Sequence, residues 1–241
     1  MKVVIVIPAR WASTRFTGKP LALINKVPMI ERVYCKAIKS KEADKVIVAT
    51  DNLKIFNFCQ KNKINVVMTS RKCRSGMERV YEVSKKTNYD IYVNLQGDEP
   101  LINPKSIDKV IRALKKNIVH GYHVSTGCAP ENNLEQDKKN SLGFLVMSKL
   151  NDVLYASRSA IPFNCSSKKI KIYRTVGLFA CRKEILKKFF KIRSKLAEYE
   201  NLEIVKFLEN DIKVKAVSIK EKIADVNYPS DIKRAEKLLK E

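Results

Sequence analysis

The sequence predicts an α/β protein: a doubly wound, mostly parallel sheet with a β-rich elaboration in its second half. Three observations carry this. Short apolar, β-branched runs alternate with amphipathic stretches through the first half. The alternation stops near residue 118, and strand-like segments then follow one another. The chain has 241 residues with 45% hydrophobic content, enough for one sizeable core, and no low-complexity linker or internal repeat divides it, so residues 1–241 read as a single domain.

The elements follow in order. "KVVIVIPA" reads as a strand buried on both faces. "PMIERVYCKAIK" is a helix with Met29, Ile30, Val33, Ala37 and Ile38 at helical spacing. "DKVIVATD" is a second buried strand, and "NLKIFNFCQKN" a helix with Leu53, Phe56 and Cys59 inward. "INVVMTS" is a strand, "GMERVYEVSKK" a helix and "DIYVNLQGDEP" a fourth strand. "NPKSIDKVIRALKKN" is a helix with Pro104 in its first turn and Ile107, Val110, Ile111 and Leu114 on one face. "HVSTG", "LGFLVMS", "DVLYASR" and "KIYRTVGLFAC" are strands of an antiparallel extension or flap. Helices return at "RKEILKKFF", "YENLEIVKFLEN" and "PSDIKRAEKLLKE", with the strand "IKVKAVS" among them.

Composition narrows the function classes. No apolar run approaches the ~20 residues of a membrane span, and "VVIVI" leads straight into Pro8 and Arg10 without a cleavage site, so the reading is a soluble, cytoplasmic protein. The six cysteines form no C-x-x-C pair, which points to free thiols rather than a zinc site. There are 48 Lys+Arg against 25 Asp+Glu, a formal net charge of +23. The lysines are spread along the chain on faces that should meet solvent, and aromatics are scattered rather than gathered on a basic sheet. That pattern argues against a nucleic-acid-binding protein, while the positive field favours capture of an anionic small substrate.

In a doubly wound sheet, ligands bind beyond the carboxyl ends of the strands, where "PARWASTRFTGK", "TDN", "TSRKCRSGMER" and "QGDEP" converge. The first loop is neither a Walker motif nor G-x-G-x-x-G. It has the single glycine Gly18, so Arg10, Arg15 and Lys19, helped by backbone N–H groups around Ala12 to Thr14, can supply the charge that would cradle a triphosphate, the alternative being a solvated basic loop. In "QGDEP", Gly97 allows close backbone approach and Asp98 is a natural Mg²⁺ ligand, although Gly-Asp-Glu-Pro is equally good turn chemistry. In "IADVNYPSD", Asp225 and Asn227 share one side of an extended segment, so Asp225 is a second candidate ligand. Ser230 is a candidate N-cap of the last helix, and Asp231 takes a structural role in its first turn.

Taken together, "IPARWASTRFTGKPL", "VIVATD", "SGMERV", "VNLQGDEPLI", "YASRSAIPF", "YRTVGLFACR" and "YENLEIVKFLEN" run in order over nearly the whole chain. They resemble the 3-deoxy-manno-octulosonate (Kdo) cytidylyltransferases, the CMP-Kdo synthetases of Gram-negative envelopes. The opening loop is similar to that of the wider nucleotidyltransferases, acylneuraminate enzymes included. The resemblance implies a nucleotide-diphospho-sugar transferase-like fold and a homodimer. It also implies an Mg²⁺-dependent transfer from CTP to the anomeric hydroxyl of an acidic 3-deoxy sugar, with release of pyrophosphate. It places Arg10, Ser13, Arg15 and Lys19 on the triphosphate, with Arg15 and Lys19 acting in catalysis beside Asp98. Ser75, Gly76 and Arg79 fall near cytosine and ribose, Gln96 and Asp98 at the centre, and Asp98 on magnesium. Arg158, Tyr173, Glu200 and Glu203 fall in or beside the sugar pocket, Arg158 as partner of the sugar carboxylate.

The chain departs from the family pattern at Thr17, at Met77 and Glu78, at Ala197, and at Thr175, where a sugar-pocket histidine is expected. Asn227 stands where the pattern has aspartate, which leaves Asp225 as the expected second metal ligand. These changes bear on which acid sugar is used, Kdo, an 8-amino form or another, more than on the reaction. An acylneuraminate-type or other sugar nucleotidyltransferase is the rival within the same chemistry.

Overall fold

The computed structural model describes residues 1–131, 142–165, 170–220 and 225–240. The first half is a run of strand–helix units: β1 (Val3–Ala9), a small hairpin of β2 (Leu23–Ile24) and β3 (Val27–Pro28), α1 (Met29–Ala37), β4 (Lys45–Thr50), α2 (Leu53–Lys61), β5 (Val66–Met68), α3 (Gly76–Lys86), β6 (Ile91–Leu95) and α4 (Pro104–Asn117). The second half holds β7 (Val124–Glu131), β8 (Phe144–Met147), β9 (Val153–Ser157), β10 (Ile172–Arg182), α5 (Lys183–Lys191), α6 (Lys195–Glu200), α7 (Glu203–Leu208), β11 (Val214–Ser218) and α8 (Asp231–Leu238).

The main sheet runs β11-β7-β10-β6-β1-β4-β5, with β8 paired to β10 and β9 to β8. β1 is parallel to both β4 and β6, so the chain leaves β1 toward β4 on one side and returns at β6 on the other. This is the switch point at which open α/β sheets form a crevice. The second half extends the sheet with antiparallel pairing of β10 to β6 and to β7, closed by β11 parallel to β7.

β1 explains why the sheet is covered on both faces. Val3, Ile5, Ile7 and Ala9 pack with α1, α2 and α4, whereas Val4 and Val6 pack with α3, α5 and α7. Every one of these residues is buried, as the period of two requires when both faces are covered. The helices begin where polar side chains satisfy the first N–H groups: Asn52 accepts from Lys54 N, Ser75 from Glu78 N and Asn103 from Lys105 N.

Several local readings change. The β2–β3 hairpin was not foreseen; Asn25 and Lys26 both adopt positive φ, as the two-residue turn of a tight hairpin requires. The fourth strand ends at Leu95, so Gln96 to Asp98 lie beyond it in a turn rather than inside it. The helix expected over residues 199–210 breaks at Asn201, whose left-handed φ of 49° ends α6 before α7 begins. Ser230 makes no side-chain cap; instead one Asp231 oxygen accepts from Asn227 N and Tyr228 N, both at 2.8 Å. The last residue of the helix expected through 241 lies outside the described residues.

Because Ile5 is fully buried in the central strand, Ile5→Ala should cost about 2–5 kcal/mol of stability. Urea unfolding followed by circular dichroism should show a lower midpoint at unchanged slope; an unchanged midpoint would contradict this packing.

Candidate active site

A cavity of about 320 Å³ opens at the switch point, beyond the carboxyl ends of β1 and β6. That size suits a small-molecule site. Its walls come from the loop after β1, the start of α3, the turn after β6, and a second-half wall from the residues before β8 and after β9, β10, the α6–α7 junction and the segment before α8. Arg10, Ser13, Arg15, Lys19, Ser75, Gly76, Arg79, Gln96, Asp98, Arg158, Glu203 and Asp225 all line it. Tyr173 and Glu200 are not on the wall. Tyr173 packs against the α3-side core, and Glu200 is committed to the residues that precede and include Arg158.

The cationic loop is shaped by Gly18. Its φ of +71° suits glycine, and an added Cβ would lie 3.2 Å from the Trp11 ring. Gly18 N donates to Trp11 O, and Lys54 sits 4.8 Å over the Trp11 ring. Gly18 leads into a short 3₁₀ turn, Lys19–Leu21, from which Lys19 Nζ reaches Asp98 Oδ2 at 2.6 Å and Val226 O at 3.0 Å. The Arg15 guanidinium lies 5.8 Å from the Tyr228 ring centre. The loop is thus tied to the turn after β6 and to the segment before α8.

The wall formed by the start of α3 has its own support. Arg79 is buried and spends its fork on Asp51 Oδ2 at 2.6 Å and Thr69 Oγ1 at 2.8 Å, which joins α3 to the ends of β4 and β5. Glu78 Oε2 accepts from Arg74 N at 2.7 Å while Ser75 Oγ accepts from Glu78 N, a variant of the capping box. Met77 is fully buried in the core. The Met77 and Glu78 departures are therefore absorbed by packing and capping, and neither side chain lines the cavity. Ala197 is likewise packed against the core.

Across the cavity, β10 loses register with β7 between Thr175 and Phe179, and this irregularity turns Thr175, Val176 and Gly177 toward the site. Gly177 O accepts from Gln96 N at 2.8 Å. A Cβ at Gly177 would stand 2.8 Å from the Gln96 side chain, so only glycine lets Gln96 lie against β10.

The acidic residues show what sequence reasoning missed. Asp225 does not stand free: Oδ1 is 2.9 Å from Arg174 Nη1, and Oδ2 accepts from Asn227 Nδ2 at 2.5 Å. Arg174, buried in β10, is unnamed among the sequence candidates, yet a buried arginine in an apolar strand signals an acidic partner. Glu99 is 3% exposed; its Oε1 accepts from Gly177 N at 3.0 Å, and its Oε2 has no hydrogen-bond partner among the described residues. Burial pushes its carboxyl up to about 8, with Asp225 and Asp98 adding to the rise and Arg174 opposing it. Glu203 is also raised, first by desolvation, against hydrogen bonds from Met77 N and Ser75. Burial and Glu82 push the Cys73 thiol, on the cavity wall, up to about 11, so it is protonated at neutral pH.

Glu99 gives the folded protein a pH signature. Its folded value of about 8 lies above the ordinary 4.5, so the folded chain holds a proton that the unfolded chain has lost. Its contribution to stability is complete below about pH 4.5 and is lost as pH rises toward 8. In metal-free protein, Glu99→Gln should flatten the decline in urea stability between about pH 5 and about pH 8; parallel curves for the two proteins would contradict the neutral carboxyl.

Comparison with known proteins agrees with this architecture. Residues 4–223 match the family described as cytidylyltransferase. The chain is 37% identical over 243 residues to the 3-deoxy-manno-octulosonate cytidylyltransferase of Chlorobium phaeobacteroides, covering 100% of this chain and 98% of that one. It is 35% identical over 247 residues to the mitochondrial 3-deoxy-manno-octulosonate cytidylyltransferase of Arabidopsis thaliana, covering 100% of this chain and 84% of that one. A solved CMP:2-keto-3-deoxy-manno-octonic acid synthetase complexed with CTP superposes with a TM-score of 0.91 at 30% identity, covering 100% of this chain and 99% of that one. An inositol-1-phosphate CTP transferase from T. maritima shares the fold at 11% identity, with a TM-score of 0.71. With the crevice at the switch point, the cationic loop and the full-length matches together, the chain belongs to the 3-deoxy-manno-octulosonate cytidylyltransferase family of cytidylyltransferases.

Proposed function

We propose that the protein transfers a cytidylyl group from CTP to the anomeric hydroxyl of Kdo or a closely related 3-deoxy acid sugar. The products are the CMP-sugar and pyrophosphate. The observation that carries this reading is the end-to-end match, at a TM-score of 0.91, to a Kdo-type synthetase complexed with CTP. The reading includes a homodimer working in the cytoplasm for envelope polysaccharide synthesis.

In the proposed reaction the sugar hydroxyl attacks the α-phosphorus in line, a new P–O bond forms, and the bond to pyrophosphate breaks. The protein's task is positioning and charge stabilisation. Arg10, Ser13 and Arg15 hold the triphosphate. Lys19 leaves its ion pair with Asp98 to offset charge on the α-phosphate and the leaving group. Ser75, Gly76 and Gln96 orient the nucleoside, and Arg158 receives the sugar carboxylate. Thr175 lines the cavity, and in this reading its hydroxyl stands at the sugar end in place of an imidazole. No histidine lines the cavity among the described residues, so the hydroxyl must be activated by other means.

The reaction class calls for Mg²⁺. The residues present fit it in kind: Asp98 and Asp225 both face the cavity, and their oxygens are the hard donors this ion prefers. Among the described residues no group of three or more His, Cys, Asp or Glu side chains gathers as a closed cage. That suits an ion that keeps waters and substrate phosphates as its remaining ligands. Asp98 and Asp225 would hold it, and when bound it would offset phosphate charge and acidify a nearby hydroxyl. Lys19 and Arg174 neutralise the two carboxylates otherwise.

Pyrophosphate release with CTP and a panel of acid sugars, Kdo and 8-amino-Kdo included, tests the reading; release with none of them would sink it. Lys19→Ala should lower turnover about a hundredfold, or ~3 kcal/mol of transition-state stabilisation, in protein that keeps its circular dichroism spectrum. Normal turnover would remove Lys19 from the mechanism. Asp225→Asn should shift the Mg²⁺ titration of the rate to higher concentration, with partial rescue by excess Mg²⁺ or by Mn²⁺. A lower melting temperature with an unchanged Mg²⁺ titration would instead restrict Asp225 to anchoring Arg174.

A further inference from the structure

The aromatic side chains of the loop after β1 are seated in different cores. Trp11 packs against the cluster that α1, α2 and α4 form with one face of the sheet, whereas Phe16 packs against a separate, smaller apolar cluster. That cluster joins distant parts of the chain: Ile24 of the hairpin, Met29 of α1, Val226 of the segment before α8, Ile232 of α8 and Leu239 just past it. Ile24, Met29 and Val226 are fully buried. Neither Phe16 nor Val226 nor any residue of α8 lines the cavity. Their neighbours do: Arg15 precedes Phe16, and Asp225 and Asn227 flank Val226.

Polar contacts fix the cluster from outside. Arg32 of α1 donates from Nε to Ile24 O at 2.8 Å, and Asn25 N in the hairpin turn donates to Glu236 Oε1 of α8 at 2.8 Å. On the cavity side, Val226 N donates to Asp98 O at 3.0 Å, and Val226 O accepts from Lys19 Nζ at 3.0 Å. The Val226 main chain thus meets site residues while its side chain lies in the cluster with Phe16. Phe16 O in turn accepts from Lys19 N at 3.3 Å. The contacts that Lys19 and Arg15 make with Asp98 and Tyr228 are electrostatic, and an arriving polyanion competes for them. The packing of Phe16 carries no charge to exchange, so it holds the loop in register with Asp98 and Asp225 while those contacts change.

We propose that Phe16 is a positioning residue for the triphosphate, and that the small cluster, α8 included, is the seat that sets how far Arg15 and Lys19 reach into the cavity. This deepens the cytidylyltransferase reading and rests on it for the identity of the polyanion. Without the seat the cations keep their chemistry but lose the ordering that precedes binding.

The test separates phosphate from base. Affinities for CTP, inorganic tripolyphosphate and cytidine are measured by calorimetry in metal-free buffer. Phe16→Ala should raise the Kd of CTP and of tripolyphosphate about tenfold, the usual cost of one misplaced charge-assisted contact. The Kd of cytidine should stay within about twofold, because it brings no charge for the loop to meet. Phe16→Leu, which keeps apolar packing, should recover most of the phosphate affinity. Ile232→Ala, on α8 and away from the cavity, should weaken tripolyphosphate in the same direction. Ile111→Val, in the core beneath α4, should lower stability and leave every affinity unchanged, which separates positioning from stability. If Phe16→Ala does not fold, Ile232→Ala carries the comparison. A tripolyphosphate Kd unchanged in the folded variants, a cytidine Kd that rises as much, or the same loss in Ile111→Val would overturn the proposal. Wild-type protein that binds tripolyphosphate but turns over no acid sugar would sink the reading of the reaction and leave this comparison standing.

Discussion

Three carboxyl groups, Asp98, Glu99 and Asp225, line the cavity, Glu99 feels the charge of the other two, and the site depends on how this repulsion is resolved. Like charges brought out of water disfavour one another. Lys19 takes Asp98, Arg174 takes Asp225, and Glu99, more deeply buried, keeps its proton to about 8. Each solution also joins parts of the chain. Lys19 pulls the loop after β1 onto the turn after β6, Arg174 pulls β10 onto the segment before α8, and Glu99 pins Gly177 of β10. The charges gathered at the cavity are the same ones that tie its walls together.

The topology makes this meeting possible. β1 and β6 are parallel neighbours whose connections leave in opposite directions, so their carboxyl ends open into a crevice. The antiparallel β10 then brings a far part of the sequence beside β6, and its loss of register near Gly177 turns Thr175 to Gly177 inward. Close approach is needed on both sides of the turn after β6: a Cβ on Gly97 would lie 3.0 Å from Pro8 O, and one on Gly177 would meet Gln96.

The large positive charge acts on two levels. Most lysines are solvated, and their summed field favours anions in general. The cations that matter at the site are fewer and held in place. Arg79 is locked on Asp51 and Arg174 on Asp225, whereas Arg10 and Arg15 face the cavity from a loop. The locked pair shapes the walls; the loop pair presents its positive charge to the cavity.

The alternation of buried strands and amphipathic helices was legible in the sequence because burial on both faces demands continuous apolar runs, as in β1, and one-sided burial demands helical spacing, as in α4. The loop cations Arg10, Arg15 and Lys19 and the acids Asp98 and Asp225 were legible because charged residues beside buried strands need a reason. The partners were not. Nothing local in "YRTVG" says that Arg174 will meet Asp225, or in "NLEIV" that Glu203 will cap α3, because those pairings join residues 51 and 126 positions apart. Nor does local pattern separate a glutamate on the cavity wall from one behind it, such as Glu200. The sequence by itself determined the layers, the strand order class and the chemical character of the site. Only the tertiary structure decided which charges neutralise one another, because that depends on the distances and burial created when the two halves of the sheet close together.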